Sequence, residues 1–303
     1  SVPVPALDRD LIGRLRADMI ASTWTVENLQ TLISEGALSA LMRDSRLPAL
    51  VELAGATDPA AVLTRFFILG LPERAAALNE ALPTLGANGL ESLGLAATID
   101  EAEAASALVM PRAGGAPKRE PKDKGADEAS APKAPSLPTM RDPDEEAPEP
   151  EVAEDPWMRA LFDLRPHAAT LPDGDHEWWV ASDLGEVQTG KPLADDHVLG
   201  IGGATLTLLE MTVRERVDSA LDVGCGCGIQ ALYLATHAGR VVATDLSARA
   251  CAITQFNAAL NETTIDVREG SLFEPVEGEA FDLIVTNPPF VITPDSVRGA
   301  AGL

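Results

Sequence analysis

Strand-length and helix-length patterns alternate along residues 197–292, and that alternation leaves few folds open. "SALDVG", "RVVATDL", "TIDVREGSLF" and "FDLIVTNPPF" each carry a short apolar or β-branched run. "TLTLLEMTVRERV", "GIQALYLATHAG" and "SARACAITQFNAALN" read as helices lying before or between them. Parallel neighbours need a long crossover, and a helix supplies it, so this order predicts an α/β fold with a Rossmann-like parallel sheet. Four strands are legible.

The first strand runs into "LDVGCGCGIQ", whose Gly224, Gly226 and Gly228 form G-x-G-x-G. A dinucleotide fingerprint asks for G-x-G-x-x-G, and Ile229 stands where its last glycine belongs. Glycines in such a turn admit a ligand against bare backbone, and the helix N-terminus that follows favours an anionic group. Asp222 ends the first strand and Asp245 the second. A strand-end carboxylate accepts from ribose hydroxyls, and Asp222 suits an ammonium group. Two carboxylates oppose a pyrophosphate but suit S-adenosylmethionine, which has an amino acid end, a ribose, a sulfonium and no phosphate.

"IVTNPPFVI" ends the fourth strand. Consecutive prolines cannot donate to a sheet ladder, so the strand stops at Asn287-Pro288-Pro289-Phe290. Taken with the glycine turn and the two aspartates in order, the motif reads as chemistry at a strand tip.

Residues 197–292 resemble class I S-adenosylmethionine-dependent methyltransferases with an Asn-Pro-Pro-aromatic motif. "VVATDLSARACAITQFNAALN" followed by "VREGSLFEPVEGEAFDLIVTNPPF" is most similar to HemK-type glutamine methyltransferases and small-domain RNA methyltransferases. The resemblance covers about a third of the chain. It implies a cofactor set of Asp222, Gly224, Gly226, Gly228, Asp245, Leu246, Ser271, Leu272 and Asn287, with Ser271 and Leu272 near the adenine. It implies a catalytic set of Asn287, Pro288, Pro289 and Phe290. Asn287 and the Pro288 carbonyl would accept the two N–H groups of a planar nitrogen. The prolines would hold those acceptors rigid, and Phe290 would lie on the flat face of the substrate. The family's sheet has seven strands, and only 13 residues follow Phe290, so a chain truncated at its C-terminus is expected.

The rest of the chain divides by composition. Residues 1–110 read as a helical domain of five or six short helices. Thr25 and Asp58 are placed as caps, with Pro59 at a first helical position. A DNA-binding helix-turn-helix is disfavoured there, because residues 6–108 hold 7 basic against 14 acidic side chains. Residues 111–156 contain ten of the 23 prolines amid charged and small residues and read as a disordered acidic linker. Residues 157–190 read as a β-hairpin, "WMRALFDLRPHA" and "HEWWVASDLGEV", turned at "TLPDGD". At least one of Trp178 and Trp179 is expected in a core or interface. Residues 191–303 form the partial methyltransferase domain.

Composition narrows the partners. A formal charge of -24 disfavours coating nucleic acid or an anionic membrane by charge alone. No membrane partner is expected, and the sparse, odd set of Cys225, Cys227 and Cys251 fits a reducing cytoplasm. Cys225 and Cys227 lack further ligands at useful spacing, so no metal is expected. His197 is read as a packing or capping residue, and Gly202 and Gly203 as a place where backbone meets the cofactor. The expected activity is methyl transfer to a planar amide or amino nitrogen. The acceptor is a protein glutamine, as in a release factor, or alternatively a base in structured RNA or in DNA. The rival of another class is a cofactor-binding module without turnover.

Overall fold

Proline, glycine and capping side chains cut the N-terminal segment into short helices. The computed structural model describes residues 3–41, 43, 45–108 and 155–287. The helices are α1 (Arg9–Ala21), α2 (Val26–Leu32), α3 (Glu35–Leu41), α4 (Leu47–Glu52), α5 (Pro59–Leu63), α6 (Ala75–Ala81), α7 (Gly86–Ser92) and α8 (Glu101–Leu108). Thr25 caps α2 by accepting from Asn28 N–H, and Asp58 caps α5 from Ala60 and Ala61 N–H, with Pro59 at the first position. Eight helices among the described residues replace the five or six expected. Single turns here are held by tertiary packing, not by amphipathic periodicity, so a pattern search merges them. The buried Asp18 carboxylate accepts from Thr84 and Leu85 N–H at 3.0 and 2.9 Å, tying α1 to the start of α7.

The stretch "VLTRFFILG" begins inside the helix that Pro59 opens. It continues α5 as a π-helical turn over Thr64–Ile68. Gln188, far along the chain, donates its amide to the Ile68 carbonyl at 2.8 Å. Thr64 donates to the Ala60 carbonyl and accepts from the indole of fully buried Trp24.

"WMRALFDLRPHA" is two strands rather than one. β1 (Glu73–Arg74), β2 (Ala96–Ile99) and β3 (Trp157–Ala160) make an antiparallel sheet in the order β1-β3-β2. The chain then breaks at Leu161 into a hairpin of β4 (Phe162–Leu171) and β5 (Gly174–Asp183). Both hairpin tryptophans are buried. Trp179 donates its indole N–H to the Trp24 carbonyl, while Trp178 packs 4.8 Å from the Tyr233 ring. The hairpin is therefore apolar on both faces. One continuous core runs from Ile12 and Trp24 through Trp178 and Trp179 to Phe256.

After the short α9 (Glu186–Thr189), α10 (Gly203–Met211) leads into the α/β part. It stops at Met211, well before the end of "TLTLLEMTVRERV". β6 (Val217–Val223), α11 (Ile229–Leu234), β7 (Ala238–Asp245), α12 (Ala248–Leu260), β8 (Asp266–Glu269) and β9 (Leu283–Thr286) follow. The strands form a parallel sheet in the order β8-β7-β6-β9, the Rossmann-like arrangement expected. Among the described residues no helix is long and apolar enough to cross a membrane.

Candidate functional site

Parallel strands deliver their C-terminal ends to one rim, and four strand ends gather the predicted residues there. Asp222 pairs with Ala243 on one side and Val285 on the other, in the middle of the sheet. Val223 pairs with Thr286, so Gly224 and Asn287 leave neighbouring strands at the same level. Asp245 and Leu246 follow at the end of β7, Ser271 and Leu272 just past β8. Pro288, Pro289 and Phe290 lie outside the described residues.

The glycine turn has the backbone that its residues require. Gly224, Gly226 and Gly228 all hold positive φ, at 75°, 55° and 81°. A Cβ at Gly224 or Gly226 would meet nothing within 4 Å, so both edge open space. A Cβ at Gly228 would press to 2.7 Å on the Thr254 side chain, so this glycine is needed for packing against α12. Gly224 and Cys225 N–H both donate to the Thr244 carbonyl, and Gly226 N–H donates to Asp245 Oδ2 at 3.0 Å. Asp245 Oδ1 accepts from Ser247 N–H at 2.9 Å, which leaves lone pairs on both oxygens for further donors.

Asp222 is the electrostatic anomaly. It is 1% exposed, and its Oδ2 has no hydrogen-bond partner. Burial pushes its carboxyl up to about 7, opposed by the Ala231 N–H and reinforced by the Asp245 charge. A buried oxygen without a donor costs free energy until a donor arrives.

The neighbouring strand tips are apolar. Leu246 is 74% and Leu272 66% exposed, unusual for such large side chains. Leu272 adopts a left-handed φ of 47°, and Thr244 Oγ1 donates to its carbonyl at 3.2 Å. Ser271 is half-buried beside it. On the other flank, Asn287 Nδ2 donates to Thr205 Oγ1 at 3.4 Å, and Gln230 Nε2 donates to the Thr205 carbonyl. Gly202 and Gly203, at the start of α10, have nothing within 4 Å of a built Cβ. His197 lies in a turn, its N–H donating to the Ala194 carbonyl.

The three cysteines are free and buried, and burial pushes the Cys227 and Cys251 thiols up to about 11. Cys225 Sγ accepts from Thr254 Oγ1. They are protonated filling residues at neutral pH.

Several supporting residues had no motif to mark them. Thr254 and Asn257 of α12 and Asn261 at its C-cap are buried polar residues at spacings of three and four, so they share one face. That polar stripe inside "ARACAITQFNAALN" is the signal the sequence held. Thr205 and Thr244 left none.

Comparison with known families finds a match in each half of the chain. Residues 21–107 match a domain of unknown function (DUF7059), and residues 200–300 match the methyltransferase small domain. A release factor glutamine methyltransferase of Deinococcus radiodurans is 35% identical over 153 residues, 48% of this chain and 52% of that protein. The Geobacter sulfurreducens enzyme of the same name is 41% identical over 96 residues, 30% of this chain and 34% of that protein. A ribosomal RNA small subunit methyltransferase C of Alcanivorax borkumensis is 39% identical over 70 residues, 23% of this chain and 21% of that protein. The chain thus spans about half or less of the length of these curated relatives.

Proposed function

We propose that this chain, whose residues 200–300 match the methyltransferase small domain, carries S-adenosylmethionine-dependent methyl transfer to a planar amide or amino nitrogen. The observation that carries the reading is the register of β6 and β9, which sets Asn287 beside the glycine turn on one rim. Neighbouring strands lie about 4.8 Å apart, so a ligand over the turn is within reach of a substrate at Asn287.

The residues present fit that cofactor. Asp222 Oδ2, buried and lacking a donor, would take the ammonium group. Gly224 and Gly226 leave bare backbone for the methionine end, Asp245 has acceptors for ribose hydroxyls, and Leu246 and Leu272 offer apolar surface to the adenine. Gly228 and Ser271 would shape the turn and the adenine side. When bound, the cofactor supplies an electrophilic methyl group.

The acceptor side rests on Asn287. Its amide nitrogen is engaged by Thr205 Oγ1, which would leave the side-chain oxygen to accept an incoming N–H. An amide nitrogen is a poor nucleophile because its lone pair is delocalised. Two acceptors, from Asn287 and Pro288, would hold its N–H groups and aim the lone pair at the methyl carbon. Rate is then gained by alignment and fixed dipoles, not by a strong base, and the proton leaves after transfer. Phe290 would support the flat face of the substrate, and Pro289 would stiffen the tip.

A protein amide is favoured over a nucleic-acid base. Arg165, Arg240, Arg249 and Arg268 of the hairpin and α/β parts are each in an ion pair with an acidic side chain. Such cations are poorly free to neutralise phosphates, the main source of affinity for nucleic acid. Labelled S-adenosylmethionine and cell extract, followed by protease or nuclease, decide the acceptor. Label lost to protease is expected, and label lost to nuclease assigns RNA or DNA. Cofactor binding with no transfer into either pool would leave a binding module. Asn287→Ala should reduce transfer by about 10²–10³ while cofactor affinity stays within about twofold. Undiminished transfer would remove Asn287 from the mechanism.

A further inference from the structure

The supporting residue that reaches furthest is Asn257 on α12. Its side chain is fully buried and makes three hydrogen bonds. Oδ1 accepts from Ala181 N–H at 2.8 Å, and Nδ2 donates to the Ala181 carbonyl at 2.9 Å and to the Cys227 carbonyl at 2.8 Å. One N–H and two carbonyls around it permit a single orientation of the amide.

One turn further on, Asn261 does half of the same work. Its Oδ1 accepts from Trp179 N–H at 2.9 Å, and its Nδ2 donates to the Trp179 carbonyl at 2.8 Å. Trp179 and Ala181 are alternate residues of β5, so both present their N–H and carbonyl to the edge not paired with β4. Two amides spaced by one helical turn thus stand in for a third strand. They satisfy an edge that would otherwise be buried without partners.

β5 in turn holds the N-terminal helices. Glu177 accepts from Val26 N–H at 2.8 Å, and the Trp179 indole reaches the Trp24 carbonyl. Among the described residues, Asn257 is the side chain whose hydrogen bonds join this assembly to the glycine turn. Thr254 also touches the turn, through the Gly226 carbonyl at 3.0 Å, but among the described residues it makes no side-chain hydrogen bond to β5.

We infer that Asn257 is a positioning residue that couples the seating of the hairpin to the shape of the glycine turn, and through it to cofactor affinity. The inference rests on the reading of that turn as the cofactor site. Removing the amide leaves the Cys227 carbonyl without its donor, between Gly226, whose backbone the ligand would meet, and Gly228, which packs on α12. The helical domain and hairpin therefore help to build the cofactor site from behind, without touching the ligand.

Asn257→Leu and Asn261→Leu, compared in the full chain, test this. Both release β5, and only the first releases the turn. Amide hydrogen exchange at Gly226 and Gly228 should speed up about tenfold or more in Asn257→Leu and stay within about threefold of wild type in Asn261→Leu. S-adenosylmethionine, titrated calorimetrically, should bind about tenfold or more weakly to Asn257→Leu and near normally to Asn261→Leu. Equal exchange and equal affinity in the two variants would overturn the coupling. If the turn responds as expected but the wild type binds no S-adenosylmethionine, the coupling stands and the cofactor reading fails. Should Asn257→Leu not fold, wild-type exchange gives the answer. Adding the cofactor should slow exchange at Ala181 as well as in the turn, and protection confined to the turn would overturn the coupling.

Discussion

Asp222→Asn should make the ligand-free protein more stable as pH rises, and the size of the effect follows from burial. The folded carboxyl titrates near 7 against a usual 3.8. Between those values the folded chain holds a proton that the unfolded chain has released, so stability falls with rising pH and the loss is complete above about 7. A shift of about 3 units corresponds to about 4 kcal/mol at 1.36 kcal/mol per unit. Asparagine has nearly the same shape and cannot ionise. The stability of Asp222→Asn minus that of wild type should therefore grow by about 4 kcal/mol between about pH 4 and pH 8. Urea denaturation of both proteins across that range, without cofactor, measures it as midpoints that separate by about 1–2 M. His167 titrates in both proteins and cancels in the difference. The cofactor's ammonium should reverse the order, since it stabilises the charged form. Wild-type affinity should rise with pH toward 7, and the variant should bind weakly with no such dependence. A stability difference constant to within about 1 kcal/mol across the range would refute the argument that Asp222 is a buried acid with one oxygen left unpartnered.

Other outcomes follow from the same geometry. Gly226→Ala puts a side chain at a φ of 55° and into the open cradle, so stability should drop by about 1–2 kcal/mol while cofactor affinity drops far more, checked by calorimetry. Burial holds His167 down at about 4, so its share of stability is present above its usual 6.5 and is lost as pH falls toward 4; His167→Gln should flatten the acid limb of the thermal-unfolding profile. Asp18→Ala leaves the N–H groups of Thr84 and Leu85 without their acceptor and should cost roughly 2–3 kcal/mol in denaturant unfolding without changing cofactor affinity.

Legibility differed between the two halves for a physical reason. In the α/β half, local pattern and tertiary structure agree. The β-branched runs of β6 and β7 are buried on both faces toward their C-terminal ends, and each strand ends at the glycine, aspartate or asparagine that marks its tip. Reading along the chain therefore found the rim residues in order, from Asp222 to Asn287. In the helical half the pattern misled. "VLTRFFILG" holds a π-helical turn met by Gln188, and "WMRALFDLRPHA", which reads as one strand, serves two sheets. Those features are set by partners remote along the chain, which local spacing cannot register.

The amino-acid order alone determined the parallel sheet, the glycine turn, and a carboxylate at the end of each of two strands, because glycine, proline and β-branched residues act through their own backbones. Only the tertiary structure decided that Asp222 Oδ2 is left without a donor, that Gly228 serves packing, and that Asn257 joins the hairpin to the turn. Each of these depends on which atom of a distant residue fills the adjoining space, and packing settles that between segments the chain keeps far apart.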